Sequence, residues 1–276
     1  MHFAFSPEQI EIRDAVATAL SAEVTPDALR QAWQRPAEGL WSTLAELGVL
    51  AMNAPEELGG LGLGATDWVL LHEEAGRVAL PEPLLEATAA IPALVEAGRG
   101  DLVSAIAAGE ARVSISAHGG YALDADRADL ILVVDDGVFA LRDPQLTAQP
   151  SIDGARRLFA VSGEREPLDC GAQALLDRAA LAASAQLLGL GGRVLEMARG
   201  YACERRQFGK PIGAFQAVQH HLVDAALKLQ FAAPLVHRAA WSLQTEQPQR
   251  SLHVAMAKIA ASEAAMTESK RSSMLS

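Results

Sequence analysis

Arg205-Arg206-Gln207-Phe208-Gly209-Lys210-Pro211-Ile212, followed by Gly213-Ala214-Phe215-Gln216, is the stretch on which the reading of this chain turns. Before it, Ala172 to Glu204 is rich in Ala and Leu and reads as a long helix, with Leu188, Val194, Leu195 and Ala198 as core positions. Gly209-Lys210-Pro211 breaks that helix, because glycine and proline punctuate regular structure. A new helix is expected from Phe215 to Val236, and a last one from Arg250 to about Lys270. Guanidinium groups, amides and aromatic rings therefore meet at one helix boundary. A guanidinium offers paired donors to phosphate oxygens and stays charged at any working pH. A nearby amide can read a ring edge or a ribose, and Phe208 and Phe215 can lie on a flat cofactor. The same residues also read as a surface arginine pair suited to a helix C-terminus, with Phe208 in the core.

Working outward, the character of the chain changes at Arg112. Val113-Ser114-Ile115-Ser116 alternates as a half-buried strand does. Leu130 to Val134 is a continuous apolar run that ends at Asp135-Asp136-Gly137, a hairpin signal, before Val138-Phe139-Ala140-Leu141. Leu158 to Val161 is a further short strand. Everything before Arg112 reads as helix and connector. Ser6 caps a first helix, with Pro7 in its first turn, Gln9 at the capping-box position, and a rough stripe of Ile10, Val16, Ala17 and Leu20. Thr25-Pro26-Asp27 starts a second helix, and Leu40, Leu44 and Leu47 share one side of a third. Thr66 caps a fourth helix. After Pro81-Glu82-Pro83, helix resumes from Leu84 to Glu96. Pro55 to Gly64 lacks the Lys-Ser/Thr end of a phosphate loop and reads as a connector whose glycines take positive φ. The fold class is mainly α with a small central β domain, in the order α–β–α. The expected parts are an N-terminal helical domain (1–110), a reduced β domain (111–168) and a C-terminal helical domain (169–276).

With 34 acidic and 23 basic side chains, the net charge is −11. Such a surface disfavours nucleic acid, which is held by clustered Lys and Arg. No apolar stretch reaches the roughly 20 residues of a membrane span, and Met1 to Ile12 does not read as a signal peptide. A cytoplasmic protein is expected. Cys170 and Cys203 lack a metal-ligand spacing and read as reduced thiols. His220 and His221 point about 100° apart on a helix, so they share no ligand face, and no metal is expected. His118 stands unpaired beside two glycines.

Arg205-x-x-Phe208-Gly209-x-Pro211-Ile212-x-x-Phe215-Gln216-x-x-x-His220 resembles the signature of the acyl-CoA dehydrogenases. Ser6-Pro7-Glu8-Gln9, Pro55 to Gly64 and Ala257 to Ala265 are similar to further parts of that family. The resemblance implies FAD as cofactor, an acyl-CoA thioester as substrate and an electron-transfer protein as acceptor. It places Arg205, Phe208, Phe215 and Gln216, with Gln207 next in line, against the FAD of a neighbouring subunit. An oligomer follows.

In the family a carboxylate removes the α-proton of the thioester while hydride leaves the β-carbon for the flavin. No catalytic residue of this kind is identified here. Ser114 to Tyr121 has neither the Glu nor the Gly-Ser pair of the family loop that covers the flavin, and the β unit is short. Counting back from Arg205 to the base position of one branch lands on Ala179-Ala180. Asp177 lies two residues away, about 200° around a helix, and reads as part of a solvated face. The other branch places its base after a His-Gly-Gly segment. This chain ends at Ser276 on a polar tail, Thr267 to Ser276, so the C-terminal helical bundle is expected to be truncated.

That combination resembles the paired acyl-CoA dehydrogenases of actinobacterial steroid side-chain degradation, where unlike subunits form an α2β2 assembly and one type supplies the base. It implies a flavoprotein subunit that shares FAD with a partner subunit and acts on the CoA thioester of a steroid side chain or another bulky acid. Two other readings stand beside it. One is a homo-oligomeric acyl-CoA dehydrogenase with an unrecognised base. The other is a scaffold that binds neither FAD nor CoA.

Overall fold

The computed structural model describes residues 4–36 and 39–273, with side chains as far as Thr267; the rest of the polar tail lies outside the described side chains. The first helices are α1 (Pro7–Glu23), α2 (Pro26–Ala32), α3 (Leu40–Glu46), α4 (Ala65–Arg77), α5 (Leu84–Glu96) and α6 (Gly100–Ala107). The strands are β1 (Val113–Ala117), β2 (Ala122–Leu123), β3 (Leu130–Val134), β4 (Val138–Gln149) and β5 (Leu158–Leu168). Then come α7 (Ala172–Glu204), a small hairpin of β6 (Arg206–Gln207) and β7 (Lys210–Pro211), α8 (Gln216–Gln244) and α9 (Arg250–Ser273). The α–β–α order is the one the sequence implies.

Local chemistry sets several of the helix starts. The Ser6 amide donates to Gln9 Oε1 at 2.8 Å and the Gln9 amide to Ser6 Oγ at 3.2 Å, a reciprocal capping box. The Thr25 hydroxyl accepts from the Ala28 amide at the start of α2. Thr66 differs from expectation. The helix begins one residue earlier, and both the amide and the hydroxyl of Thr66 donate to Gln244 Oε1, at 2.8 and 2.7 Å. Val16 and Leu20 are buried in the α1 stripe, whereas Ile10 is exposed. Leu40 and Leu44 are likewise buried and Leu47 is not. In the connector, Gly59 and Gly62 take positive φ and Gly60 does not.

The chain divides into two compact units interleaved along the sequence: Met1–Leu20, Ala65–Leu80 and Ala183–Ser276 in one, and Ser21–Gly64 and Pro81–Ala182 in the other. The second unit holds the sheet, in the order β1-β3-β4-β5-β2. β1 and β3 are parallel and the remaining pairs antiparallel. Two buried serines of β1 tie it to β2 and to the turn that leads there. Ser114 Oγ donates to the Leu123 carbonyl at 2.6 Å and Ser116 Oγ to the Gly120 carbonyl at 2.8 Å. Ala122, Ile131, Val133, Leu141 and Phe159 fill the interior beneath.

The Pro81-Glu82-Pro83 break feeds a buried ionic cluster in the same unit. Glu82 is fully buried and accepts from Arg127 at 3.0 Å. Arg156 reaches Glu86 at 2.7 Å and Asp124 at 2.6 Å. Burial opposes the charge on Arg156, but the two carboxylates outweigh it and raise its pKa.

In the first unit, α4 and α7 cross with their backbones in contact. A Cβ on Gly189 would lie 1.8 Å from the Glu73 carbonyl oxygen, so no larger residue fits. Beside that crossing His72 is buried and bonded to Gln186 at 3.1 Å, and burial lowers its pKa to about 3. Of the expected α7 core positions, Leu188 and Ala198 are buried, while Val194 and Leu195 are half-buried. α8 runs past the expected end at Val236 and through Pro234, whose position is exposed; Ala239, Ala240 and Ser242 are buried in the extension.

Candidate functional site

α7 ends as the Arg205 amide donates to the Tyr201 carbonyl, at 2.8 Å. The chain then reverses. Arg206 pairs with Pro211 and Gln207 with Lys210, which leaves Phe208 and Gly209 as the two residues of the turn. Their φ values are 51° and 79°, the positive pair that marks a type I′ hairpin. The Ile212 amide closes the base of this loop on the Arg205 carbonyl at 2.8 Å. A single 3-10 turn, Ile212–Ala214, leads to Phe215, the N-cap of α8. Gln219 Nε2 reaches back to the Gly213 carbonyl at 2.9 Å and braces the turn.

This backbone presents the side chains outward. Phe208 is 90% exposed, so it is not the core residue that the sequence allowed. A buried ring at this position is ruled out because the turn projects from the ends of α7 and α8 on two-residue strands. The Phe208 and Phe215 rings meet edge to face, 6.2 Å apart. Lys210 Nζ stands 4.3 Å from the Phe215 ring centroid, within cation–π range. Arg205, Arg206, Gln207 and Gln216 are exposed, and Arg206 lies 3.4 Å from the Gly209 carbonyl. Thus Phe208 and Phe215 touch as the sequence suggested, and Lys210 joins them. Its signal was available: Lys210 sits across the hairpin from Gln207. Three cations and two rings on an exposed turn form a donor set that suits a pyrophosphate with a flat ring system.

The β1–β2 loop is built differently. Ala117-His118-Gly119-Gly120 is also a two-residue turn, with φ of 51° and 67° at His118 and Gly119. The Gly120 amide donates to the Ala117 carbonyl and the His118 amide to the Val134 carbonyl, both at 2.9 Å. A cavity of about 160 Å³ opens beside it, lined by Ser116, Gly120, Val133, Leu141, Val161 and Arg165. Arg165 is held by Asp135 at 2.8 Å and lies over the Phe139 ring. No acid lines this cavity among the described residues.

Asp177 corrects a second expectation. It is buried rather than on a solvated face, and it accepts from Gln173 Nε2, one turn earlier, at 2.8 Å. His220 and His221 are exposed on α8. Cys170 and Cys203 are free thiols. Among the described residues, no cluster of His, Cys, Asp or Glu could hold a metal ion, and no helix is long and apolar enough to cross a membrane.

Comparison with known proteins bears on both ends of the chain. Residues 6–106 match the model of the acyl-CoA dehydrogenase N-terminal domain, and residues 171–272 that of the acyl-CoA dehydrogenase C-terminal domain. The sheet falls between the two matches. Acyl-CoA dehydrogenase IpdE2 of Mycobacterium tuberculosis is 34% identical over 271 residues, covering 95% of this chain and 83% of that protein. Among solved structures, the ChsE4–ChsE5 complex from Mycobacterium tuberculosis superimposes with a TM-score of 0.86 at 24% identity, over 100% of this chain and 88% of the matched one. A Tcur3481–Tcur3483 steroid ACAD variant gives a TM-score of 0.88 at 24% identity, over 97% and 86% of the two chains.

Proposed function

This chain belongs to the acyl-CoA dehydrogenase family, and on that premise we propose that it is the subunit of a mixed assembly that completes a partner's flavin site. Phe208 carries the reading. A bulky ring held in the left-handed region costs about 1–2 kcal/mol, and this one is 90% exposed. Strain of that kind persists where it serves a contact beyond the chain's own packing. The surrounding charges agree. Arg205 would hold the FAD pyrophosphate with Arg206 and Lys210 beside it. Phe208 and Phe215 would line the ring system, and Gln207 and Gln216 would offer amides to its polar edge. When bound, FAD accepts the hydride that leaves the β-carbon of the acyl-CoA thioester.

The chain's own carboxylates do not supply a base in this reading. Asp177 is buried against Gln173, and the β1–β2 cavity is lined without an acid. The catalytic Glu then comes from the partner subunit. Two structural relatives support a mixed assembly, because each is named as a pair of proteins. One of them is named a steroid enzyme, and this extends the proposal to the CoA thioester of a steroid side chain or a similarly bulky acid.

The test is to purify the chain alone and together with a co-expressed family subunit, and to record flavin absorbance and stoichiometry. Colourless protein alone and a yellow mixed complex are expected, with flavin lost from the complex on Phe208→Ala. One flavin per chain in the protein alone would refute the shared site in favour of a self-sufficient homo-oligomer. No flavin in either preparation would leave a scaffold.

A further inference from the structure

Three side chains meet at the end of α8 remote from the Phe208 turn. Ser242 is fully buried on the last turn of α8, and His253 is 8% exposed on the first turn of α9. Arg238 is half-buried one helical turn before Ser242. His253 Nδ1 lies 2.8 Å from Ser242 Oγ, and His253 Nε2 lies 2.9 Å from Arg238. A guanidinium only donates, so Nε2 accepts from Arg238 and carries no proton. The ring proton then sits on Nδ1 and is donated to Ser242 Oγ. This bonding is open to the neutral imidazole alone, because a charged ring donates from both nitrogens.

No carboxylate offsets the guanidinium. Among the described residues, Arg238 makes no ion pair, and neither does Glu246, the acid of the connecting turn. On α9 itself, Arg250 turns to the Glu246 carbonyl at 3.4 Å and Lys258 to Ser262 at 2.8 Å. On α4, which packs against α8, Asp67 accepts from Gln9, Glu73 bonds His237, and Glu74 pairs with Arg77. Burial and the Arg238 charge, in that order, lower the pKa of His253. The turn closed by these side chains is strained. Glu246 has a φ of 49°, in the left-handed region that crowds a Cβ. The Glu246 amide on the Leu243 carbonyl at 3.2 Å and the Gln247 amide on the Ser242 carbonyl at 2.9 Å wind α8 to its end there.

We propose that Arg238, Ser242 and His253 form an acid-sensitive latch: the neutral imidazole holds the start of α9 against α8, and its protonation sets two cations face to face and frees the strained turn. The proton arrives at Nε2, the nitrogen that accepts from Arg238, so the Arg238 bond is the one lost. Because burial and charge depress the pKa, the latched state binds fewer protons than the open one. The latch is fully closed above pH 6.5, the ordinary value of the group, and weakens as pH falls below it. Opening rises by at most about ten-fold per pH unit. Gln244, two residues beyond Ser242, accepts from both the amide and the hydroxyl of Thr66, so release of the turn reaches the start of α4. The latch needs neither flavin nor a partner subunit.

Hydrogen exchange of the full chain tests it, read by mass spectrometry on peptides spanning residues 245–257 and corrected for the intrinsic pH dependence of exchange. From about pH 7 to about pH 5, opening of this segment should rise about three-fold or more in the wild type. His253→Gln keeps an acceptor for Arg238 and a donor for Ser242 without titrating, so its exchange should stay at the neutral wild-type level throughout. Arg238→Met serves if that variant fails to fold. With the cation gone, the imidazole pKa followed by NMR should move up toward 6.5. Wild-type exchange that is independent of pH over this span overturns the latch. So does a His253→Gln chain that loosens with acid as the wild type does, or an imidazole pKa untouched by Arg238→Met.

Discussion

Two turns in this molecule share a backbone and differ in everything around it. His118-Gly119 and Phe208-Gly209 each place two consecutive residues at positive φ, and in each the first residue carries a ring. The first turn is braced. The Ser116 hydroxyl, the Ala117 carbonyl and the Val134 carbonyl all engage it, and it joins strands of one sheet. The second has only two residue pairs beneath it, and the side chains of both turns are exposed. The first turn is tied into a sheet, while the second is held by its own short hairpin and the Phe208–Phe215 ring contact, and on the proposal above it is the second that meets another molecule.

The largest expected effect tests the bracing side of this contrast. Arg156→Met leaves Glu86 and Asp124 buried without their cation. Breaking a buried pair in this way should cost about 3–5 kcal/mol, read as a fall in the urea midpoint. A loss below about 1 kcal/mol would show that the β unit does not depend on the cluster. The next effect tests the presenting side. Arg205→Ala removes a charge-assisted contact worth about 1.5–3 kcal/mol. Flavin affinity of the mixed complex should fall about 10- to 100-fold, while the melt of the chain stays unchanged. A parallel fall in melting temperature would make Arg205 a structural residue.

Acid separates the two regions by another route. His72 braces α7, the helix that leads to the Phe208 turn, through Gln186. Its folded pKa lies near 3, below the unfolded value of 6.5, because burial disfavours its charge. A depressed folded pKa means that the folded state binds fewer protons. Stability is then full above pH 6.5 and declines as pH falls from there toward 3, by at most about 1.4 kcal/mol per pH unit. His72→Gln keeps an amide partner for Gln186 without titrating. It should flatten the decline between pH 6.5 and 4, measured by urea midpoints at each pH; an unchanged slope would assign the acid loss elsewhere.

The uneven legibility of the sequence follows the same division between local and distant partners. Ser6 with Gln9 and Thr25 before Pro26 were readable because each partner lies within three residues. Thr66 was misread as a cap because its partner, Gln244, is 178 residues away. Asp177 looked solvated because the packing that buries it is set by distant parts of the chain. The end of α8 was set too early, since burial of Ala239 and Ala240 carries the helix past Pro234. At Phe208 the exposure removes only the alternative of a core ring. Two-residue hairpins are usually flagged by Asn-Gly or Asp-Gly, and an aromatic residue before the glycine hides the turn. The family motif pointed to these residues without the geometry that exposes them.

The smallest effect is the sharpest test of the comparison. Glycine adopts positive φ without the Cβ clash, so His118→Gly and Phe208→Gly each relieve the same backbone strain. Each should raise stability by about 1 kcal/mol or less, after the extra freedom glycine brings to the unfolded chain. The two variants should part on function. Removing the Phe208 ring strips the exposed turn of the group it presents, so flavin should be lost from the mixed complex even as the chain becomes more stable. Removing the His118 ring should leave flavin content unchanged. Measuring both melts and both flavin spectra on the same preparations decides the point. If Phe208→Gly lowered stability, the ring would be contributing to packing and the exposed turn would be braced after all. If both variants kept their flavin, the strain at Phe208 would have no counterpart in binding, and the two turns would differ only in the bonds that tie them to the sheet.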